Sequence, residues 1–586
     1  MRILLDLQAC QASSMHRGIG RYSMALALAM ARNSGGHELR IVLNEGYPDS
    51  ALAIRQAFDG LLPQAHITTF SIPVPTREID PRNTWRMHTA ERIREHYLAS
   101  LQPDIVHVAS LFEGLGDNSV VSVPLEENNY ATSVTLYDLI PLMRKERYLG
   151  DPNVAAWYYR KLEQLKRARL LLSISASARD EGIALLGLPS ERIVNISSAV
   201  DGMFRPRALS PEARSALLAR HGLRREFIMY TGGIDYRKNI EGLLEAYAGL
   251  PLALRRQYQL AVVCSVPAAD RVRLQRLAAK LKLSNDDLVL TGFVSDDDLV
   301  SLYNCTALFV FPSLHEGFGL PALEAMACGA PVIGSNASSI PEVIGRFDAL
   351  FDPTSIAAIG ASMAAVLGDP ARQAALRAHG LAQAERFSWS ESARRAIEAF
   401  EEVHRRRPPA AATRPGPLPA RDAERGLLAS IAALGRDVPE PDLLQTAAAI
   451  AANRPPCGLR QVLVDIGEFA ETGKTCGAAP LSARLRTLVD QVPSGWRVEP
   501  VRHDGAHYRY ARRLALDRPG GPDAADEDTV VDAKPGDVLL VLGESPAPAM
   551  PAGWLARGIL ACRLPAGSAA GDLAERLAEL LNRGQT

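Results

Sequence analysis

Two glutamates, Glu316 and Glu324, sit in the chemically densest string of the chain: Phe311-Pro-Ser-Leu-His-Glu316-Gly-Phe-Gly319-Leu-Pro321-Ala-Leu-Glu324-Ala-Met-Ala-Cys-Gly329. An apolar strand runs into a glycine turn and then a helix, with Pro321 suited to its first turn and Gly329 to its C-terminal end. The amides of Gly317, Phe318 and Gly319 would gather at that helix N-terminus, where aligned dipoles favour a phosphate or a sugar hydroxyl oxygen. Glu316 stands at the mouth of the turn, and Glu324, inside the helix, is placed to reach a second polyol such as a ribose. Either acid alone would read as a solvated loop or helix-face residue. The shared register of strand, glycines, proline and acids is what sets the string apart.

A second string, Tyr230-Thr-Gly-Gly-Ile-Asp-Tyr-Arg237-Lys238-Asn-Ile240, comes about 80 residues earlier. Its strand ends in Gly232-Gly233, and the apolar stripe Ile240, Leu243, Leu244 and Tyr247 marks the helix that follows. Arg237 and Lys238 therefore project near a strand's carboxyl end, where a diphosphate needs countercharge. An Arg-Lys pair by itself is usually surface; beside a glycine turn it reads as a binding element. A third string, Arg17-Gly18-Ile-Gly20-Arg21-Tyr22, lies between the first strand and a helical run from Ser23 to Arg32. It lacks the acid expected about 20 residues further on in a dinucleotide fold, so the reading is a glycine loop that lets backbone approach a ligand in a cleft.

The elements that would hold these strings are short Val/Ile/Leu runs alternating with helical patterns: Ile3 to Leu7, Ile105 to Ala109, Ser133 to Tyr137, Leu170 to Ile174, Phe227 to Thr231, Leu260 to Cys264, Leu308 to Phe311 and Pro331 to Gly334. Such alternation predicts an α/β fold of doubly wound parallel sheets with ligands at the strands' carboxyl ends. Two sheets fit residues 1–200 and 201–404, separated where Asp201 to Pro211 breaks the pattern. A Pro/Ala-rich linker (405–421), a helical spacer (422–456) and a C-terminal partial α/β module (457–586) follow. In that last module Arg460 to Ile466 echoes Arg2 to Leu7, and Pro535-Gly-Asp537-Val-Leu echoes Pro103-Asp104-Ile-Val-His107, so it reads as a truncated, inactive repeat of the N-terminal half.

Composition narrows the function classes. The 586 residues carry 65 Lys plus Arg against 66 Asp plus Glu, a net charge of −1, which gives no global field for nucleic acid. Seven scattered cysteines without a C-x-x-C pair speak against a disulfide framework or a zinc site and for a reduced, cytoplasmic setting. Neither a leader nor a membrane-spanning run is expected. Thr472-Gly-Lys474-Thr475 fails as a phosphate loop because Glu468 stands where its first glycine belongs. The run Asp296-Asp297-Asp298 is explained by the start of a helix rather than by a metal. Residues 141–170 hold eight basic residues against three acids, with Trp157, Tyr158 and Tyr159 among them. They suit either a solvated helix or peripheral contact with an anionic membrane.

In this order and spacing, the three strings resemble the family-4 retaining glycosyltransferases of the GT-B fold, in which two Rossmann-like domains face across a cleft. The resemblance covers residues 1 to about 404. It implies that Glu316, Arg237 and Lys238 are catalytic, and that Gly18, Gly20, Gly232, Gly233, Gly317, Phe318, Gly319, Leu320 and Glu324 bind the donor, with Phe293 and Val294 near its base. Further matches are Ser173 to Ser177 and Pro341-Glu342-Val343. Where the family often has a His-Asp pair, this sequence has Tyr137-Asp138, which makes these two the remaining candidates for catalysis; a phenol is a poor base at neutral pH. The wording of the strings and the repeated half-module look most like bacterial mannosyltransferases of O-antigen and surface polysaccharide. That implies a metal-independent enzyme without a cofactor, using GDP-mannose and a lipid-linked saccharide acceptor at the inner face of the cytoplasmic membrane. UDP-glucose or UDP-galactose is the alternative donor. A non-catalytic assembly subunit that docks a protein partner through 457–586 is the alternative of another class.

Overall fold

The computed structural model describes residues 1–125, 130–406, 420–435 and 437–453 as continuous stretches, and beyond them chiefly 460–467, 496–505, 507–511, 536–542 and 559–564. Most of the Pro/Ala-rich linker (407–419), Glu468 and the Thr472 to Lys474 string lie outside the described residues.

Two parallel sheets carry the first 351 residues. The first contains β1 (Arg2–Asp6), β2 (Glu38–Asn44), β3 (Ile67–Phe70), β4 (Ile105–Val108), β5 (Ala131–Leu136), β6 (Leu170–Ser173) and β7 (Ile193–Asn195), in the order β3-β2-β1-β4-β5-β6-β7. The second contains β8 (Glu226–Thr231), β9 (Tyr258–Val263), β10 (Leu288–Leu290), β11 (Leu308–Phe311), β12 (Val332–Ser335) and β13 (Leu350–Phe351), in the order β10-β9-β8-β11-β12-β13. All eight expected strands are among them. Central strands such as β4, β6, β9 and β11 are buried along their whole length because helices cover both faces of a parallel sheet.

Local chemistry sets the helix starts. Ser175 caps Ala176–Leu186 by accepting from the amide of Ala178, Asp151 caps Pro152–Arg167 through Asn153 and Val154, and Ser295 caps Asp296–Cys305 through Asp298. The three aspartates occupy the first turn of that last helix, where the dipole favours them, and are partnered by Arg21, Arg207, Arg220 and His221. The amphipathic helix Trp389–Arg405 packs back on the first sheet's side, with Trp389 edge-on to Tyr22, Phe400 beside His107 and Glu401 bonded to His37.

The chain separates into two compact units, Met1–Ile41 with Thr76–Thr84 and Leu98–Gly426, and Val42–Pro75 with Trp85–Tyr97 and Leu427–Thr586. In the second unit Leu427, Ile431, Ala449 and Ile450 from the two spacer helices close around Ile93, and Asp442 pairs with Arg86 at 2.6 Å. This unit also holds a mixed sheet in the order Tyr508–Tyr510, Trp496–His503, Arg460–Asp465, Val538–Leu542, Leu560–Leu564, in which only Tyr508–Tyr510 runs antiparallel.

The strands that carry the two similar strings pair with their neighbours alike. Ile3 pairs with Ile105 in the first sheet and Val462 with Val538 in this one, so each echoed strand meets its neighbour in the same register. Each register is clamped in the same way, by the Arg2 amide donating to Asp104 at 2.8 Å and the Gln461 amide donating to Asp537 at 2.7 Å. Among the described residues no helix is long and apolar enough to cross a membrane, and no group of three His, Cys, Asp or Glu could hold a metal.

Candidate active site

The second string builds a rigid platform at the carboxyl end of β8. Gly232 has φ +143°, and a Cβ there would come within 2.9 Å of the Tyr230 hydroxyl, which donates to the Gly233 carbonyl. Asp235 then accepts from the Arg237 amide and starts the single turn Tyr236–Lys238, which aims both cations back towards β11. The Leu314 amide donates to the Arg237 carbonyl at 2.6 Å and ties this turn to the loop after β11.

Glu316 joins the two strings. Its Oε1 accepts from Lys238 Nζ and its Oε2 from Arg237, both at 2.7 Å, and the same guanidinium donates to the His315 carbonyl at 3.0 Å. Burial alone would raise the Glu316 carboxyl, but the charges of Lys238 and Arg237 outweigh it and lower it to about 2. The acid is therefore ionised throughout the neutral range. Lys238 is itself only 8% exposed and lies over the Phe311 ring.

Beyond Glu316 the chain turns through Gly319, at φ +112°, into the helix Leu320–Ala327, with Pro321 in its first turn and Gly329, at φ +78°, just past its end. The amides of Gly317, Phe318 and Gly319 donate to no other described residue. The Phe318 side chain is turned into the core against Phe387, so only its backbone is available to a ligand.

Glu324 accepts from the buried Tyr303 hydroxyl at 2.9 Å, and burial pushes its carboxyl up from 4.5 to about 7. The folded protein thus holds a proton here that the unfolded chain releases, so Glu324 makes stability fall as pH rises from 4.5 to about 7. Glu324→Gln is expected to flatten that part of a urea-unfolding profile against pH; an unchanged slope would show that Glu324 is not the group responsible.

Two expectations look different in three dimensions. Gly18 and Gly20 are not in a loop ahead of a helix at Ser23, because the helix already begins at Gly18 and runs to Arg32. Gly20 is needed by the chain itself, since a Cβ would sit 2.5 Å from the Ser14 carbonyl, whereas Gly18 has open space. The Tyr137 hydroxyl points inward, bonded to Ser23 at 2.9 Å and donating to the Ala109 carbonyl at 3.2 Å, and burial raises it well above its usual range. Phe293 is 83% exposed and Val294 half-buried.

Asp138 does reach the cluster. Its Oδ2 lies 3.1 Å from where a Gly317 Cβ would be, and the Tyr137 carbonyl lies 2.8 Å from that point, so the two sheets' loops meet backbone to backbone. Burial raises the Asp138 carboxyl while Arg237 pulls it down. Contacts that the strings did not announce complete the meeting. Ser175 donates to the Gly317 carbonyl at 2.6 Å, and His315 bonds Glu181 at 2.7 Å, whose other oxygen accepts from the Leu139 amide. Glu342 accepts from the amides of Ala176 and Ser177, and Tyr148 donates to Asp235 at 2.7 Å.

Comparison with known proteins agrees with this geometry. Residues 16–202 match the family described as Glycosyltransferase Family 4, and residues 219–383 match Glycosyl transferases group 1. The chain is 39% identical over 544 residues to the serotype-specific mannosyltransferase WbdA of Escherichia coli, covering 92% of this chain and 64% of that protein. It is 38% identical over 240 residues to the O-antigen chain mannosyltransferase B of Escherichia coli, covering 41% of this chain and 62% of that one. It therefore spans less than two thirds of the length of either relative. Among solved structures, sucrose-phosphate synthase from Thermosynechococcus elongatus superposes with a TM-score of 0.51 at 21% identity, covering 69% of this chain and 99% of that one, a likeness of fold. With both family matches falling on the two facing parallel sheets, residues 16–383 belong to the family-4, group 1 glycosyltransferases of the GT-B fold.

Proposed function

We propose that this chain transfers mannose from GDP-mannose to a saccharide hydroxyl with retention of anomeric configuration, as a step in building a bacterial surface polysaccharide. The observation that carries the reading is Glu316 bridging Arg237 and Lys238 beside the unbonded amides of Gly317 to Gly319. On donor binding the two cations pass to the diphosphate, and the carboxylate is freed for the sugar's hydroxyls. Charge building on the departing diphosphate is stabilised by these fixed donors. The acceptor oxygen attacks from the face the diphosphate leaves, and its proton goes to a departing phosphate oxygen, so no buried base is required. That accords with the inward Tyr137 hydroxyl. Glu324 takes the ribose, and Gly232, Gly233, Phe293, Val294 and Leu320 complete the donor site, with Asp138 at the reacting face. The names of the relatives supply the choice of mannose and of O-antigen.

A lipid-linked acceptor at the cytoplasmic membrane face belongs to the same proposal. In the segment 141–170, Arg160 pairs with Glu78, Lys166 with Glu163, and Lys161 and Arg167 donate to the Val121 and Val123 carbonyls. Arg144, Lys145 and Arg169 remain exposed to meet anionic headgroups, while Arg147, also exposed, lies over the Tyr236 ring.

The test is a panel of nucleotide sugars, with acceptor offered free and in anionic vesicles, read as nucleotide diphosphate release. GDP release from GDP-mannose, faster on vesicles, is expected. UDP release instead would replace the donor, and no release with any donor would leave a binding scaffold, with 457–586 as its docking module.

A further inference from the structure

Beside the Glu316 cluster, a groove of about 560 Å³ opens between the loop after β11 and the helix Ala176–Leu186. That is within the usual size range of small-molecule sites, ~300–1,000 Å³. Its inner end is His315 and Ser338, which adjoin the cluster directly: His315 precedes Glu316 and Ser338 Oγ accepts the Glu316 amide at 2.8 Å. One wall carries Ser177, Asp180 and Glu181, the other Pro341 and Glu342, and Met143, Ala184 and Leu185 form an apolar lip.

The chemistry of the lining selects a class of ligand. Three carboxylates, two hydroxyls and an imidazole offer acceptors and donors, and no lysine or arginine is among the lining residues, so a phosphate or diphosphate has no countercharge here. An uncharged polyol does fit. Its hydroxyls donate to carboxylates, and its carbon-bound hydrogens lie on exposed apolar side chains such as Leu185, which is 43% exposed. Glu181 is held with both oxygens already engaged, by His315 and by the Leu139 amide, so the wall is fixed before a ligand arrives. Asp180 is exposed on the helix face, 3.6 Å from Arg179, so its carboxylate stands at the groove's solvent side within a ligand's reach.

We infer that this groove binds the acceptor saccharide, with Asp180 as a hydroxyl acceptor and Leu185 as a platform for a sugar face, and that it delivers the acceptor's end past His315 to the donor site. The inference rests on the glycosyltransferase reading, and its test is separable from that reading. Binding of an α-linked mannotetraose to the full chain is measured by saturation-transfer NMR and calorimetry, without donor. The wild type, Asp180→Ala and Leu185→Arg are compared, both substitutions lying on an exposed helix face outside the core. Each variant is expected to bind about tenfold more weakly. Unchanged GDP affinity and an acceptor KM raised by a similar factor, with kcat nearly kept, would complete the result. Mannotetraose binding that is absent from the wild type, or equal in all three proteins, overturns the groove assignment whatever the donor panel shows. A chain that binds mannotetraose through this groove but releases no nucleotide loses the transfer reading and keeps the site.

Discussion

Lys238→Ala is expected to lower the rate of sugar transfer by about a hundred- to a thousandfold, the usual cost of removing one fixed donor to a developing negative charge. The folded state should survive it, because Glu316 keeps its 2.7 Å bond to Arg237 when the lysine is gone. Removing the acid is less clean. Glu316→Ala leaves Lys238, 8% exposed, as a buried cation with one partner fewer, a class of change that typically costs about 3–5 kcal/mol. Glu316→Gln keeps the shape and a carbonyl oxygen for one cation, so it separates lost chemistry from lost stability. Steady-state kcat beside a thermal melt decides the matter. A Lys238→Ala enzyme with wild-type kcat would remove the cation pair from the mechanism.

Gly317→Ala is the second large effect. The new methyl would stand 2.8 Å from the Tyr137 carbonyl, 3.1 Å from Asp138 Oδ2 and 3.3 Å from Ile174 Cδ1. The nearest neighbour is backbone, fixed at the end of β5, so it cannot swing away; the loops after β5 and β11 must part instead. Misplacing reacting groups by about 1 Å can cost about a hundredfold in rate, and a loss of that order in kcat is expected. Donor affinity should fall less than kcat, since Arg237, Lys238 and Glu324 keep their own contacts while the Gly317 amide shifts. Equal kcat in the variant would show that the close approach does not serve the reaction.

These two residues also mark how far the sequence can be read. The eight strands that stand out in it are buried on both faces, which writes an unbroken apolar run into the chain. The strands it hides are β2, in which Glu38 and Arg40 interrupt the pattern, and β3, β7, β10 and β13, which all stand at sheet edges where half-burial dilutes the signal. The site divides in the same way. Glycine, proline and acid at fixed short spacing announce the Glu316 string and the Arg237-Lys238 turn, because their geometry is local. The bond from Ser175 to Gly317, the His315–Glu181 pair and the capping of Ala176 by Glu342 join segments 142, 134 and 166 residues apart. No short window contains such a pair, although each residue lies inside or beside a string that was already conspicuous. Tyr137 shows the converse: its position was legible, but the direction of its hydroxyl depends on Ser23 and Ala109 and could only come from packing.

The paired clamps at Asp104 and Asp537 bear on how a parallel sheet keeps its strand offset as the rest of the chain changes. Strand offset changes only in whole residues, and one step turns every side chain to the opposite face. Gradual drift therefore cannot move it, and a carboxylate that fixes the offset is retained or lost as a unit. Glycine loops and charged pairs can erode one substitution at a time without unfolding the sheet that bears them. In both sheets the pairing is thus held by a carboxylate just ahead of a strand, where loop changes at the strand's other end do not reach it.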